Sequence, residues 1–343
     1  NGSKQNRVIF MKITSSCLAS SLAVSFGLVS LTPALVHANP DPNAMVSQFE
    51  ATGGKFEGFR RSGAKGICAT GEFIGSAEGR KISTASAFSG KPIPVVVRFS
   101  VGGGNPKAAD NTKTQRNLAL QFNLPKNEVW QMGNISAPVF GSATPDQLMG
   151  RLQSLQPDPA TKAADPVKVK AFADANPEVL IQGKYFASQP VPASYVATNY
   201  WGVHGFGFSN AKKEKVWGKW IFEPVAGTAA LSASELANLG DDFLKAELLQ
   251  RINTQPAQWN LYIQLAESGD DINNPTVIWP ETRKRLLVGQ VVINGDRDSD
   301  PQVQQCDKGI FNPLLLPKGI APSADPILNA RTAAYVESFI RRQ

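Results

Sequence analysis

Histidine is almost missing from this sequence: there are two in 343 residues, His37 and His204. Cysteine is nearly as scarce, with three, and charged residues make up only 18%. Two imidazoles exclude a His-rich zinc centre and leave no basis for a Ser-His-Asp or Cys-His nucleophile. No G-x-G-x-x-G fingerprint occurs. The cluster Gly102-Gly103-Gly104 lacks that spacing and no helix signal follows it, so it reads as a flexible turn rather than a phosphate cradle. Gly and Pro, at 29 and 24, show no period, which excludes collagen-like and solenoid designs. Beyond the N-terminal region, no run is long and apolar enough to span a bilayer.

What is present is an ordinary globular composition. Apolar residues make up 42%, enough in a chain of this length to bury a sizeable core. Residues 1–10 read as an upstream or added extension. Met11-Lys12 opens a short basic region, an apolar stretch runs from Leu18 to Leu35, and Val36-His37-Ala38 offers small residues where a signal peptidase reads. Residues 11–38 are therefore expected to be a secretory signal peptide. Its removal takes away Lys4, Arg7 and Lys12 and no acid, so the net charge falls from +7 to about +4. That is too mild to imply a nucleic-acid partner. Residues 39–343 read as a single exported domain without stable membrane insertion. Cys68 and Cys306 survive, either as a disulfide or as two buried thiols; both readings stay open.

The order of elements is strands, helices, strands, helices, which indicates α+β with an antiparallel sheet. Residues 39–62 read as a polar leader. Pro94–Ser100 and Leu118–Phe122 are strands, with Trp130–Met132 and Ala137–Phe140 as further extended pieces. Thr144-Pro145-Asp146 starts one helix, and Asp165 caps a second over 165–175 with Pro166 at its first position. Strands return at Tyr200–Phe208 and Lys215–Pro224. Ser232 opens a helix through Ile252. Two strands at Asn260–Ala266 and Arg285–Ile293 precede a helix from Pro326 to the end.

Several motifs read as bland. Asp296, Asp298 and Asp300 have the opening spacing of a calcium loop, but Pro301 sits where the sharp turn needs Gly, so a solvated loop is expected. Lys212, Lys213 and Lys215 read as a solvated turn. His204 lies in an apolar strand and reads as a core residue. The C-terminal helix differs. Arg331, Tyr335 and Arg342 fall within about 40° of one another on one helix face. A guanidinium one turn from a phenol favours the phenolate, and tyrosinate is a haem-iron ligand.

The triplet has company. Phe311-Asn312-Pro313-Leu314-Leu315-Leu316-Pro317 leads into Arg331-Thr332-Ala333-Ala334-Tyr335, and this stretch closely resembles the one in haem catalases that ends in the proximal Arg-x-x-x-Tyr. Val97-Arg98-Phe99-Ser100, Ala64-Lys65-Gly66 and Tyr200–Asn210 resemble further catalase blocks, in family order. The short length and the export signal resemble the small periplasmic catalase-related peroxidases. The resemblance implies a catalase-like antiparallel β-barrel core with flanking helices, haem b as cofactor, and peroxidase activity. Its partners would be a small-molecule peroxide and an electron donor of unknown identity. Organic peroxides are the expected substrates, with hydrogen peroxide a secondary candidate. It implies Tyr335 as the axial iron ligand, supported by Arg331. Arg60, Arg98 and Arg342 match positions that pair with haem propionates, Phe140 an aromatic of the distal pocket, and Ser100 a residue that hydrogen-bonds the distal side chain.

The departures are as informative. Gly63 stands where the family has its distal histidine. The family's distal Asn maps onto Asn134 with a one-residue shift, or onto Ser136. Asn117 stands where the family usually has Gly. A positioned acid–base group contributes about 10²–10⁴ in rate, and glycine supplies none. The expectation is an impaired peroxidase; the alternative is a non-catalytic haem-binding member of the superfamily. The sequence does not address the oligomeric state.

Overall fold

Alternating side chains along the strands put the bulk of the apolar residues on one face of a sheet, and that face closes on itself. The computed structural model describes residues 1, 2, 40–295 and 301–343. The chain from residue 39 onward forms one compact unit. It begins with α1 (Pro42–Gly53), which Asp41 caps by accepting from Asn43 N. The segment expected to be a polar leader is thus partly helical, because Met45 and Val46 bury a stripe too narrow to show as periodicity. A meander follows: β1 (Gly66–Gly75), the short α2 (Ala77–Ile82), β2 (Ile93–Val101), β3 (Arg116–Asn123) and β4 (Val129–Ile135). Three helices, α3 (Pro145–Ser154), α4 (Pro166–Ala175) and α5 (Val179–Ser188), separate it from β5 (Tyr200–Trp201), β6 (Phe206–Ser209) and β7 (Lys215–Pro224). Next come α6 (Ala233–Asn238), α7 (Phe243–Thr254), β8 (Ala257–Leu265) and β9 (Arg285–Gly295). The chain finishes with α8 (Pro301–Lys308), β10 (Ile320–Pro322) and α9 (Pro326–Ile340).

The strands pair in the order β7-β5-β4-β3-β2-β1-β9-β8, and β8 pairs back onto β7. Eight antiparallel strands therefore close into a barrel without an open edge. β6 and β10 extend from β7 outside this ring. The α+β barrel with flanking helices is the architecture expected from the sequence. The interior is aromatic. Phe122 stacks on Trp130 at 4.7 Å, and Phe206 on Trp220 at 3.9 Å. Burying each such ring is worth about 1.5–3 kcal/mol.

Three further elements differ from expectation. Ala137–Phe140 is a loop, since Phe140 N bonds Pro275 O instead of a neighbouring strand. The run 200–208 splits into β5 and β6, and His204 lies in the break. The helix expected over 232–252 divides into α6 and α7 around Gly240. Ser232 still caps the first half in a reciprocal box with Glu235.

The outer face of β1–β4 positions the site. Residues alternate in direction, so Val97, Phe99, Leu118, Leu120 and Met132 fill the barrel. Arg98, Ser100, Asn117, Ala119, Gly133 and Ile135 have the opposite parity and line an external cavity. Register aligns Arg98 with Ala119 and Gly133, and Ser100 with Asn117 and Ile135. β2 has no polar alternation because both of its faces are covered. A disulfide between Cys68 and Cys306, with Cα atoms 6.3 Å apart, ties β1 to α8. Among the described residues, no helix is long and apolar enough to cross a membrane.

Candidate active site

A cavity of about 650 Å³ lies between the outer face of β2–β4 and α9, with α1 and α3 contributing apolar walls. It collects Arg60, Gly63, Arg98, Ser100, Asn134, Phe140, Arg331, Tyr335 and Arg342. These are all of the residues the sequence nominated except Ser136.

α9 supplies the first group. Asp325 caps the helix and Pro326 opens it, so Arg331 and Tyr335 sit one turn apart. Arg331 Nε donates to the Tyr335 hydroxyl at 2.9 Å, and its Nη2 makes a second, shorter contact to the same oxygen. The guanidinium also lies over the Tyr335 ring, 5.1 Å from its centroid. A Cβ on Gly133 would come within 2.7 Å of Arg331 Nη2. Glycine at that point of β4 is what lets the guanidinium settle against the sheet.

His204 backs this group, and it is buried with both ring nitrogens bonded, in keeping with its reading as a core residue. Its Nδ1 lies 2.6 Å from Asp325 Oδ2 and its Nε2 lies 3.2 Å from Arg331 Nη1. Burial lowers the imidazole pKa, with the Asp325 carboxylate opposing. A neutral ring with its proton on Nδ1 donates to Asp325 and accepts from Arg331. The polar chain is therefore Asp325–His204–Arg331–Tyr335. The break between β5 and β6 aims the ring there, and no local pattern in the sequence announces that aim.

The second group is a cluster of guanidiniums. Arg60 Nη2 donates to the carbonyls of Cys306 and Gly309, and Arg342 Nη2 to those of Lys308 and Gly309. Arg98 pairs with Asp307 at 2.6 Å and donates to the Gly63 and Ala64 carbonyls. Burial, then the charges of Arg98 and Arg342, pushes Arg60 down to about 9. Burial, then Arg98, pushes Arg342 down to about 10. The Nε atoms of Arg60 and Arg342 are buried without a partner. Unpaired buried donors are costly, and crowded cations repel, so the cluster favours an anion with several acceptor oxygens. The neighbouring Arg61 does something else: it pairs with Glu50 at 2.5 Å and helps hold α1.

The third group is polar and sits near position 63. Gly63 has φ +64°, and a Cβ there would lie 2.8 Å from Ser100 Oγ and 3.5 Å from Asn117 Nδ2. Ser100 accepts from Asn117 Nδ2 at 3.0 Å, and Gln115 Nε2 donates to Asn117 Oδ1. Asn134 lines the cavity, but its amide is occupied: Nδ2 donates to Leu118 O and Oδ1 accepts from Trp220 Nε1 at 2.7 Å. Ser136 does not reach the cavity. Its Oγ accepts from Arg116 N, because the chain turns out of β4 after Ile135. The nomination of Ser136 for this site is thus corrected, and Asn117, noted only as a departure from the family pattern, lines the cavity beside Gly63. Phe140 lies beside His204, with centroids 6.3 Å apart.

The residues present fit the haem that the resemblance implies. A phenol oxygen held by a guanidinium suits an iron ligand, and unsatisfied arginines suit carboxylates. Of the other motifs, Gly102–Gly104 forms a turn that borders the cavity. Lys212 and Lys213 are exposed at a turn, as expected. Asp296, Asp298 and Asp300 lie outside the described residues.

Comparison with known proteins agrees with this geometry. Residues 59–343 match the catalase family model. The chain is 38% identical to a catalase-related peroxidase of Synechococcus elongatus, covering 94% of each chain. It is 29% identical to a catalase-related peroxidase of Mycolicibacterium paratuberculosis, covering 87% of this chain and 93% of that one. Among solved structures, a fungal catalase superposes with a TM-score of 0.75 at 24% identity, over 83% of this chain and 59% of the other. Catalase A of Saccharomyces cerevisiae gives a TM-score of 0.75 at 23% identity, over 83% of this chain and 61% of the other. The chain thus spans about three fifths of those catalases, while it matches the catalase-related peroxidases nearly end to end. With its barrel, its Arg331–Tyr335 pair and the family match over 59–343, this protein belongs to the catalase family, as a catalase-superfamily peroxidase.

Proposed function

We propose that the protein is a haem b-dependent peroxidase, exported to the periplasm, that reduces organic peroxides with electrons from a small donor. The observation that carries the reading is one cavity holding both the Arg331–Tyr335 pair and the Arg60–Arg98–Arg342 cluster, in which the buried Nε atoms of Arg60 and Arg342 have no partner. Bound haem would supply the redox chemistry with peroxide, and the protein the binding, orientation and electrostatics. Tyr335 would hold the iron through its phenol oxygen, which accepts two donors from Arg331. His204 and Asp325 fix that guanidinium from behind. Arg60 and Arg342 would bind the propionates, with Arg98 and Asp307 completing the charge balance. Phe140 would pack beside the group. Val46, Phe49, Leu148 and Leu152 give the cavity an apolar wall, which suits an alkyl peroxide.

Gly63 places no proton acceptor beside the peroxide. Relative to a positioned acid–base group, the rate of peroxide cleavage is expected to fall by about 10²–10⁴. The same glycine favours a second reading, a haem binder without turnover. An absorption spectrum of the haem-loaded protein, before and after an organic peroxide, separates them. A haem band that shifts and then recovers with a reductant supports the peroxidase. A band that never shifts supports the binder, and no band at all overturns the haem reading.

A further inference from the structure

We infer that Asn117 is the hydrogen-bond donor of the distal side, occupying at Ser100 the place that a side chain at position 63 would otherwise take. The inference rests on the haem-peroxidase reading above.

Three observations carry it. Register sets Ser100 and Asn117 opposite each other on the cavity face of β2 and β3, so the two polar groups meet by strand pairing alone. The Asn117 amide is already oriented. Its Oδ1 is held by Gln115 Nε2 and one N–H is given to Ser100 Oγ. A carboxamide has two N–H donors, so one is left for a ligand in the cavity. Finally, the ideal Cβ of residue 63 falls against both Ser100 Oγ and Asn117 Nδ2. A long side chain at 63 and the Asn117 amide therefore compete for one volume and one hydroxyl. The left-handed backbone at Gly63, with φ +64°, adds a conformational cost for any other residue.

A carboxamide neither gains nor loses a proton at physiological pH, so it cannot act as a general acid or base. Asn117 thus orients a bound oxygen but carries no proton to or from it. It is a binding and positioning group, distinct from the acid–base residue that position 63 lacks. Any proton moved at this wall passes through the Ser100 hydroxyl or water.

Two measurements test this. In the haem-loaded protein, Asn117→Ala is expected to weaken fluoride binding about tenfold, since fluoride at the iron reads a distal donor directly and involves no turnover. The haem band itself should persist. In the haem-free protein, Gly63→His is expected to lower the melting temperature by about 2–4 °C. Adding Asn117→Gly should recover part of that loss, because the two side chains no longer collide. Unchanged fluoride affinity with haem still bound overturns the donor role and leaves the haem reading intact. Strict additivity of the two substitutions overturns the shared volume. A protein that takes up no haem overturns the donor role together with the reading it depends on, whereas the haem-free cycle still judges the shared volume.

Discussion

Asp325 holds His204 with one carboxylate oxygen and caps its own helix with the other. Oδ2 lies 2.6 Å from His204 Nδ1, while Oδ1 accepts from the backbone of Ile327 and Leu328. Starting α9 and orienting the imidazole behind Arg331 are therefore the work of one buried group. The position of Tyr335 and the orientation of its guanidinium partner are coupled at their source.

This coupling gives stability a particular pH dependence. His204 is buried and faces Asp325, Arg331 and, more remotely, Lys219. Its folded pKa is depressed, so the unfolded chain takes up the proton first as pH falls. The stability it contributes is complete above the unfolded value of about 6.5 and is lost below it, with a slope of up to about 1.4 kcal/mol per pH unit. Urea midpoints between pH 8 and 5 should fall more steeply for the native protein than for His204→Gln. Equal slopes would assign the titration to other groups.

Replacing Tyr335 by Phe removes the acceptor for two Arg331 donors. A stability loss of about 1 kcal/mol is expected from the broken hydrogen bonds. The larger effect should be on haem, through loss of the oxygen that would hold the iron. Titration with haem, followed by absorption, should show an altered or absent band, and a native spectrum from Tyr335→Phe would remove Tyr335 from the metal.

Arg60→Gln should weaken haem binding by roughly 10–100-fold, the value of one charge-assisted hydrogen bond. The effect should shrink little in moderate salt, because the group is mostly buried and screening acts chiefly on exposed charges. A comparable change at the adjacent Arg61 should instead loosen α1 through its pair with Glu50. Affinity for haem and thermal stability, measured on both variants, should separate the two arginines. Equal losses of affinity would argue against a specific role for Arg60.

The Cys68–Cys306 disulfide closes a loop with a sequence separation of 238. Chain-entropy reasoning puts its stabilisation at about 5.5 kcal/mol as an upper value, with measured effects commonly about 2–4. α8 also provides the Cys306 carbonyl that Arg60 binds and the carboxylate that Arg98 binds. Reduction, or the double change Cys68→Ala and Cys306→Ala, should lower both the melting temperature and the haem affinity. A lower melting temperature with haem affinity intact would show that α8 stays in place without the bond.

Much was legible locally. The Arg331–Tyr335 pairing follows from helix period, and the opposed directions of Val97 and Arg98 follow from strand period. The caps at Asp165 and Ser232 follow from side chains that compete for free backbone N–H groups. Each is set by residues within a few positions of one another, so the sequence by itself determined them.

The rest required distant segments to meet. Whether Cys68 and Cys306 pair depends on α8 packing against β1. The role of His204 depends on a break in the ladder and on a carboxylate 121 positions away. Asn117 reaches the cavity through its register with Ser100, while Ser136 misses it because the chain leaves β4 one residue earlier. Pairing register and barrel closure are long-range choices, settled by the total burial of the barrel face. No window of sequence contains that sum, so only the tertiary structure decided which polar residues face the cavity.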